Sequence, residues 1–525
     1  MPPSHTGGAR EDVDGDDGVW DTRLDIFSSF RSRFDVRCYR LCKRVLLYHR
    51  FDDPSGVDEP TLVRSTDFSY ADSETATTLT SVVLRGWRSD GGTWTTEAMP
   101  ALSFTYGEAV LDESVQFVEG LEDLPLGLDS SRWRWVDLDG DGMAGLLTEC
   151  GPAWFYKPNN GGGALAATRA IPFRPQPGGA GNLADLDGDG RLELVVHQPG
   201  MHGYASRDPD GKWQAFRPFQ KVPNIDWDNS DIRQLDLDGD GLPDVLLTEG
   251  DCFTWYPSAG REGWSEARRW RTPKTEEEGP KLVFSSEREA IFLADMTGDG
   301  LTDLVRVRAG CVEYWPNRGM GRFGGRVVMD NSPYFDRADR FDPKRLRFAD
   351  IDGSGPTDLI YLGPERARFW QNRCGNSYHS RAGTELPQFP GIDNQSTVQV
   401  ADLLGDGTAC LVWSSPLLRD AWCPLRYVHL MGEGKPYLLK TITNNLGRVT
   451  TLSYAPSTAF MVADREAGQP WATRLPFPVQ CLERVEVRDD VTGWRNVTRY
   501  AYHHGYYDSA EREFRGFGKV EQWDT

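Results

Sequence analysis

The chain has 525 residues, with 79 acidic against 58 basic side chains and a formal net charge of −21. That charge argues against binding to nucleic acid or to anionic membrane surfaces, because the phosphate-neutralising contacts that drive such binding would be missing. The 55 glycines, 33 prolines, 18 tryptophans, 18 tyrosines and 24 phenylalanines indicate a turn-rich all-β protein and not a helical bundle.

The first residues of the chain read MPPSHTGGAREDVDGDDG, and they have neither a basic region nor an apolar core of the kind that signal peptides carry. No run of 18 apolar residues follows, so no membrane insertion is expected. We expect a chain made in the cytoplasm and exported without a recognisable signal peptide. Residues 1–19 are small, polar and acidic, which predicts a disordered tail.

Residues 20–118 are predicted to form a small β region. Two β-rich runs flank Asp90, Gly91 and Gly92, and a short glycine-containing turn between two such runs is typical of a β-hairpin. A further β-rich run, ALSFTYGEAV, begins at Ala101. This region precedes the part of the chain that carries internal repeats.

A short acidic motif repeats along the middle of the chain. Its clearest copy is DLDGDGLPDVLL, which begins at Asp236, and five similar copies begin at Asp137, Asp185, Asp295, Asp350 and Asp402. An aromatic strand follows each of the first five copies at a near-constant offset, at Trp154, Tyr204, Trp255, Trp315 and Trp370. About four strands fit into a repeat of roughly fifty residues, which predicts a β-propeller of about six blades over residues 119–423.

Two charged insertions, near Pro273 and Met329, lengthen single repeats. Insertions in propellers map to the loops of one face, where partners usually bind.

The acidic loops are candidate calcium sites. Oxygen ligands at positions one, three, five and nine, with glycine at six, suit a hard cation that takes six to eight oxygens. The candidate ligands are Asp185, Asp187, Asp189 and Glu193 in the second loop, Asp236, Asp238, Asp240 and Asp244 in the third, Asp295, Asp299 and Asp303 in the fourth, and Asp350, Asp352 and Asp358 in the fifth. The first and sixth loops lack a carboxylate at position nine, where Gly145 and Cys410 stand.

An EF-hand is excluded because position twelve is Val196 in the second loop and Leu247 in the third, and strand-type residues follow. The alternative without metal is that each aspartate caps its turn by accepting backbone N–H groups, as in an Asx turn. In either case the role is structural.

No catalytic constellation is evident. The sequence contains no HExxH, GxSxG, P-loop or zinc-ligand spacing, and its eight histidines are scattered. We therefore expect a protein that is not an enzyme.

The acidic loops stop after Pro424, and residues 424–525 alternate in the strand manner, which predicts a second β architecture. Because the pattern continues to Thr525, we expect the chain to be part of a longer polypeptide.

Three stretches together resemble the B component (TcB) of bacterial Tc insecticidal toxin complexes, which is related to the SpvB/TcaC virulence proteins. They are RLDIFSSFRSRFDVRCYRLCKRVLLYHRF with TLVRSTDFSY, then WVDLDGDGMAGLLTECGPAWFYKPN, and finally LGRVTTLSYAPST through LPFPVQCLERVEV to RYAYHHGYYDSAEREFRGFGKVEQWDT. The motif DxDGDG alone would be a weak signal, because integrin-type FG-GAP repeats share it.

The resemblance implies an SpvB-like region over 20–118, an FG-GAP/VCBS-like propeller, and the start of an Rhs-type β shell in the TcB middle region over 424–525. It also implies a secreted toxin complex in which the propeller docks on a TcA-like translocation channel and acts as a gate. A TcC-like Rhs partner, or a continuation of the same polypeptide, would complete the shell around a toxic polypeptide. The competing class is a calcium-dependent, integrin-like adhesion or lectin-like propeller, which explains the repeats but not the last hundred residues.

Overall fold

The computed structural model describes residues 22–51, 60–90, 93–124, 133–150, 153–172, 181–208, 211–285, 290–337, 340–363, 366–432 and 434–524. The predicted disordered tail, residues 1–19, lies outside this described part. Strands dominate the described residues, which contain one α-helix, Ser457–Glu466, and three short 3₁₀ helices, Gly260–Glu262, Pro343–Arg345 and Leu418–Asp420. Within the same residues no helix combines the length and apolar character that a bilayer crossing requires.

Six four-stranded antiparallel sheets follow one another along the repeats, which confirms the predicted propeller of six blades. Blade 1 has strands Trp133–Val136, Gly145–Cys150, Ala153–Lys157 and Arg169–Ile171; blade 2 has Asn182–Ala184, Glu193–Gln198, Met201–Ala205 and Arg217–Pro218; blade 3 has Ile232–Leu235, Asp244–Glu249, Cys252–Tyr256 and Arg268–Arg271. Blade 4 has Ala290–Ala294, Asp303–Arg308, Cys311–Trp315 and Val327–Val328; blade 5 has Leu346–Ala349, Asp358–Leu362, Ala367–Trp370 and Thr384–Leu386; blade 6 has Thr397–Ala401, Cys410–Ser414, Leu425–His429 and Val115–Phe117.

Blade 6 closes the ring with a strand from the opposite end of the repeat region. Its outer strand, Val115–Phe117, precedes blade 1 in the sequence and pairs antiparallel with Leu425–His429, with Val115 opposite Val428. The domain boundaries that the sequence suggested, 118/119 and 423/424, therefore cut through this blade. Each acidic loop lies between the first and second strands of its repeat, and the motif contains no information about a partner strand that lies about three hundred residues away.

The core of the propeller is a ring of six apolar clusters, one at each junction between blades. The second strand of each blade supplies much of each cluster because it is buried on both faces, as in the run Asp358–Leu362. The aromatic landmarks also lie in these clusters, and Trp255, Trp315 and Trp370 are essentially inaccessible to solvent. Burying a large apolar side chain contributes about 1.5–3 kcal/mol, so these repeated aromatics account for much of the cohesion between blades.

A second architecture is one large sheet of ten strands. Its strands are Arg44–His49, Thr61–Ala71, Thr78–Asp90, Thr93–Ala98, Leu102–Tyr106, Leu439–Thr443, Arg448–Pro456, Gln480–Asp489, Arg495–Asp508 and Glu513–Asp524. The two halves meet where Leu102–Tyr106 pairs with Leu439–Thr443, and the hydroxyls of Thr105 and Thr441 lie 2.6 Å apart across that join. The regions before and after the propeller, which the sequence suggested as separate units, thus share a single sheet.

Two hairpins complete the fold. The first, hereafter the N-terminal hairpin, pairs Phe27–Ser29 with Val36–Cys38, and the second pairs Asn372–Arg373 with Ser377–Tyr378.

The helix Ser457–Glu466 interrupts a region that the sequence predicted as strands only. Pro456 precedes its first turn, and Gly468 adopts a left-handed conformation just beyond its end. The helix packs on the ten-stranded sheet through Phe460, whose ring meets Tyr502 edge to face at 5.4 Å. With only ten residues and no side-chain cap, its local signal is weak, and its contact with the sheet stabilises it.

Blade 2 contains a half-buried histidine, His197, whose two ring nitrogens are buried and whose pKa is lowered. The imidazole of His197 stacks flat on the indole of Trp227, with ring centroids 3.6 Å apart, and neither of its nitrogens has a hydrogen-bond partner among the described residues. Burial, with a smaller contribution from His202, lowers the pKa of His197 to about 4. Because an unfolded histidine takes up a proton near pH 6.5, the free energy of unfolding should fall as pH drops from 6.5 towards 4.

We expect His197→Phe to remove this part of the acid sensitivity. Between pH 7 and pH 4 the parent should lose up to about 3 kcal/mol more of its unfolding free energy than the variant does. Urea unfolding at a series of pH values measures this difference. Because parent and variant contain the same carboxylates, the difference between their profiles reports the titration of His197 alone. His49→Phe, an exposed histidine on the ten-stranded sheet, is the control. Parallel profiles for parent and His197→Phe would contradict the assignment.

Candidate metal centres on the acidic-loop face

Each acidic loop joins the first and second strands of its blade, so the six loops emerge on one face of the propeller, here called the acidic-loop face. The first aspartate of each loop shapes the turn. In the third loop, Asp236 accepts N–H groups from Gly239 at 2.8 Å, Asp240 at 2.9 Å and Gly241 at 2.7 Å. Both glycines have φ between 70° and 80°, a left-handed conformation that other residues adopt only with strain. The Asx-turn geometry is therefore present.

The acid at position nine ties two loops together. Asp244 is buried and accepts N–H groups from Leu237 at 3.0 Å and from Ser258 at 2.7 Å, so it joins the acidic loop to the loop after the third strand. Asp303 and Asp358 make the equivalent pairs of bonds in blades 4 and 5. This clamp was not foreseen, because its second donor lies fourteen residues further along the chain.

Burial makes these carboxyl groups weak acids. Burial raises the pKa of Asp244 to about 7, although the two N–H groups that donate to Asp244 act to lower it. Burial also raises the pKa of Asp303 and of Asp358 well above the usual range. Burial and the neighbouring Asp352 likewise raise the pKa of Asp350 to about 6. A bound cation would oppose these shifts, because it stabilises the ionised carboxylates.

Two loops gather three carboxylates at ligand distance. Asp236, Asp238 and Asp244 in blade 3 each offer an oxygen within 4.8 Å of the others, and so do Asp350, Asp352 and Asp358 in blade 5. Within the described residues these are the two such groups, and each contains a buried oxygen that accepts no hydrogen bond, Oδ1 of Asp238 and Oδ1 of Asp350. A cluster of hard oxygen donors with an unused buried lone pair fits Ca²⁺. Asp240 stands at the rim of the blade 3 group and lies 3.7 Å from Arg512.

The other candidate loops use their carboxylates differently. In the second loop the guanidinium of Arg261 lies 2.9 Å from Asp187 and 2.8 Å from Glu193, where it supplies positive charge itself. Asp185 and Asp189 of that loop shape the turn by accepting N–H groups. In the fourth loop Asp299 accepts the N–H of Phe30 at 2.6 Å, while Asp295 shapes the turn and Asp303 forms the clamp.

The ten-stranded sheet, with its connecting segments, and the N-terminal hairpin pack on the acidic-loop face. Side chains from these elements bind loop backbone: Arg474 donates to the carbonyl oxygen of Asp139 at 2.7 Å, Arg512 to Gly239 at 2.8 Å, Arg31 to Asp299, Thr458 to Gly405, and Gln480 to Asp406 at 2.5 Å. In blade 5 the hydroxyl of Tyr437 lies 3.3 Å from Asp352. The loops thus form the contact surface between the propeller and the sheet, a role that the sequence pattern did not reveal.

Comparisons with known proteins agree with this architecture. The family model of the insecticide toxin TcdB middle/N-terminal region matches residues 372–525, and that of the Salmonella virulence plasmid 65kDa B protein, SpvB, matches residues 7–51. Over 97% of its length the chain is similar to a mutant of the Photorhabdus luminescens Tc holotoxin pore, with a TM-score of 0.85 and 31% identity. The chain belongs to the TcB family.

Two further structures extend the similarity of this TcB-family chain. A TcdB2–TccC3–Cdc42 crystal structure covers 100% of the chain at 30% identity and a TM-score of 0.72, and TcdB2–TccC3 without its hypervariable C-terminal region covers 96% at 30% identity and a TM-score of 0.70. In all three comparisons the chain spans 24% of the similar chain's length. No curated protein sequence matches the chain.

Calcium should stabilise this TcB-family chain through blades 3 and 5. At about one hundred times the dissociation constant, each independent site adds about 2.7 kcal/mol to the free energy of unfolding. We expect the melting temperature to rise with Ca²⁺ and to return after chelation, and terbium luminescence to report binding directly. The affinity should fall as pH drops through about 7, because protons compete for Asp244.

The double variant Asp238→Asn/Asp352→Asn separates metal binding from turn formation, because both residues occupy position three and the first aspartate still shapes each turn. It should lose the response to Ca²⁺, whereas Asp72→Asn, an exposed residue elsewhere, should retain it. If Ca²⁺ did not change the melting temperature of the parent protein and terbium gave no luminescence signal, the acidic loops would be metal-free Asx turns.

Proposed function

We propose that this chain is the propeller and first shell-wall segment of a secreted, Tc-type toxin complex. In this proposal the propeller docks on a TcA-like channel component and gates it. The ten-stranded sheet forms part of a β shell that a TcC-like partner, or further residues of the same polypeptide, completes around a toxic polypeptide. The role is structural and not enzymatic, and Ca²⁺ in blades 3 and 5 would stabilise the ring.

One observation supports the proposal: among the described residues, the ten-stranded sheet and the N-terminal hairpin contact the acidic-loop face of the propeller, whereas the opposite face, here called the free face, bears exposed apolar side chains. Both connections to the ten-stranded sheet leave through blade 6 on the acidic-loop face, and their described residues are 107–114 in the first and 430–432 with 434–438 in the second. The opposite face bears the loop 415–424 of blade 6, in which Leu418 is 81% and Trp422 75% exposed. The ring of Phe117 lies 5.7 Å from that of Trp422, so these side chains form an apolar patch. Exposed, contiguous apolar side chains of this kind mark sites of protein association.

The gating part of the proposal follows from the same arrangement. Because the ring is closed by separate apolar clusters at each blade junction, a partner bound to the free face can shift one blade against the next. The ten-stranded sheet holds the acidic-loop face through the acidic loops, so such a shift would open the centre of the ring towards the sheet.

A binding experiment with a purified TcA-like component tests the docking. We expect Leu418→Ser/Trp422→Ser to weaken binding by at least about a hundredfold, because exposed aromatic anchors dominate interface energies. The matched control is Val491→Ser/Trp494→Ser, which removes exposed apolar side chains from a hairpin of the ten-stranded sheet. Binding that survives deletion of all six blades would refute docking through the propeller.

A further inference from the structure

A cleft of about 770 Å³ opens at the outer rim of the propeller between blades 3 and 4. One wall is the outer strand of blade 3, Arg268–Arg271, and the other is the loop after the third strand of blade 4, residues 317–323. The tip of the N-terminal hairpin adds Arg33. Six arginines therefore contribute to the lining of one cleft, Arg33, Arg268, Arg269, Arg271, Arg318 and Arg322.

Within the described part of the chain, none of the six forms an ion pair, and Glu278 is the single acidic residue among those that line the cleft. The chain as a whole carries a charge of −21, so such a concentration of unpaired positive charge is opposite to the rest of the molecule. Guanidinium groups stay charged at all relevant pH values, and their mutual repulsion is a cost that an anion would relieve.

The cleft is built on a rigid aromatic floor. A Cβ atom at Gly321, where φ is +69°, would lie 2.6 Å from Trp255 and 3.1 Å from Trp270, so glycine lets the blade 4 loop rest on both indoles. The N–H of Arg318 donates to the carbonyl oxygen of Arg322 at 2.7 Å, which closes that loop. The guanidinium of Arg268 lies 4.7 Å from the centre of the Trp255 ring. The arginines are therefore held by a tight loop and a strand.

The equivalent cleft between blades 1 and 2 is different. It is smaller, about 310 Å³, and its arginines are engaged within the protein. Arg169 lies 2.5 Å from Asp139, and Arg207 donates to the carbonyl oxygen of Leu138 at 2.5 Å. The arginines of the blade 1–2 cleft are thus engaged within the protein, whereas those of the blade 3–4 cleft form no ion pair among the described residues.

We propose that this cleft binds sulfate or phosphate esters carried on a sugar-sized ring. Guanidinium groups match sulfate and phosphate oxygens in bidentate geometry, and the half-buried indole of Trp270 offers an apolar surface for the ring that carries them. The volume accommodates a short oligosaccharide or a highly phosphorylated single ring. The site is distinct from the calcium loops, requires no metal, and does not depend on the toxin-complex role.

Titration calorimetry at low salt with two probes tests the proposal and separates the two sources of anionic esters. One probe is a heparin-derived hexasaccharide, and the other is inositol hexakisphosphate. We expect at least one of them to bind. Arg33→Gln/Arg268→Gln and Arg318→Gln/Arg322→Gln should each weaken binding by at least about tenfold, because each lost arginine removes charge-assisted hydrogen bonds. Higher salt should weaken binding further.

The control Arg64→Gln/Arg499→Gln removes two exposed arginines of the ten-stranded sheet and should leave binding unchanged. Circular dichroism and melting temperature show whether each variant is folded, and because the cleft arginines are exposed both pairs should fold normally. The proposal is overturned if neither probe binds, if both cleft variants bind as the parent does, or if polyglutamate or inorganic sulfate competes at equal concentration. Competition by polyglutamate would instead indicate an acidic peptide as the ligand.

Discussion

Val118→Asp should lower the free energy of unfolding by about 4 kcal/mol, because it would place a carboxylate in an apolar cluster at the point where the ring closes. Val118 is 4% exposed and follows the closing strand Val115–Phe117. It packs in the cluster that joins blade 6 to blade 1, with Leu165, Leu403 and Tyr427. Urea unfolding followed by tryptophan fluorescence measures the loss.

Gln116→Asp is the matched control, because Gln116 lies in the same strand with its side chain exposed. It should change the free energy of unfolding by less than about 0.5 kcal/mol. Limited proteolysis adds a local readout: in Val118→Asp, cleavage should begin in the segment between the ten-stranded sheet and blade 6. Equal stability of Val118→Asp and Gln116→Asp would mean that the junction between blades 6 and 1 contributes little to the ring.

Arg306→Ala should cost about 3–5 kcal/mol, because it would remove the nearest positive charge from the buried carboxylate of Glu313, which would keep only the longer contacts with Arg308 at 3.1 Å and Arg326 at 3.3 Å. Arg306 is 2% exposed, lies 2.6 Å from Glu313 and 2.8 Å from Glu276, and stacks over Trp315. Burial lowers the pKa of Arg306, but hydrogen bonds to Glu276 and Glu313 outweigh that effect and raise the pKa. Glu276 belongs to the charged insertion near Pro273, which this bond fastens to blade 4.

Two comparisons define this result. Arg366→Ala breaks an ion pair with Glu385 in which both side chains are about half exposed, and it should cost less than about 1 kcal/mol. Adding Glu276→Gln and Glu313→Gln to Arg306→Ala should restore part of the lost stability, since neutral amides need no counter-charge. If the triple variant were no more stable than Arg306→Ala, the cost would arise from lost packing on Trp315 and not from the loss of positive charge beside Glu276 and Glu313.

The sequence predicted those parts of the fold that depend on neighbouring residues. The number of blades followed from the acidic motif, because a turn and the strand after it are specified within about twelve residues, as at Asp236 and Leu247. Pairing of Val115–Phe117 with Leu425–His429 could not be predicted in this way, since nothing in either segment encodes a partner so far along the chain. The same holds for the shared sheet, where Thr105 meets Thr441.

The candidate metal residues show a similar division. The motif identified the carboxylates, but it could not show that Arg261 enters the second loop from the next blade, or that Phe30 binds Asp299 from the N-terminal hairpin. Both contacts join residues that are distant in sequence, and each changes what its loop can bind. Carboxylate count alone therefore did not separate blades 3 and 5 from the others.

During synthesis, the closing strand of blade 6 is made long before the strand with which it pairs. Val115–Phe117 emerges about three hundred residues before Leu425–His429, an interval of roughly 15–60 s at 5–20 residues per second. During that time five blades can assemble while an unpaired strand edge stays available to neighbouring nascent chains. Strand Leu102–Tyr106 likewise has no partner until Leu439–Thr443 has been synthesised. Production of this protein should therefore be sensitive to the chaperone capacity of the cell that makes it.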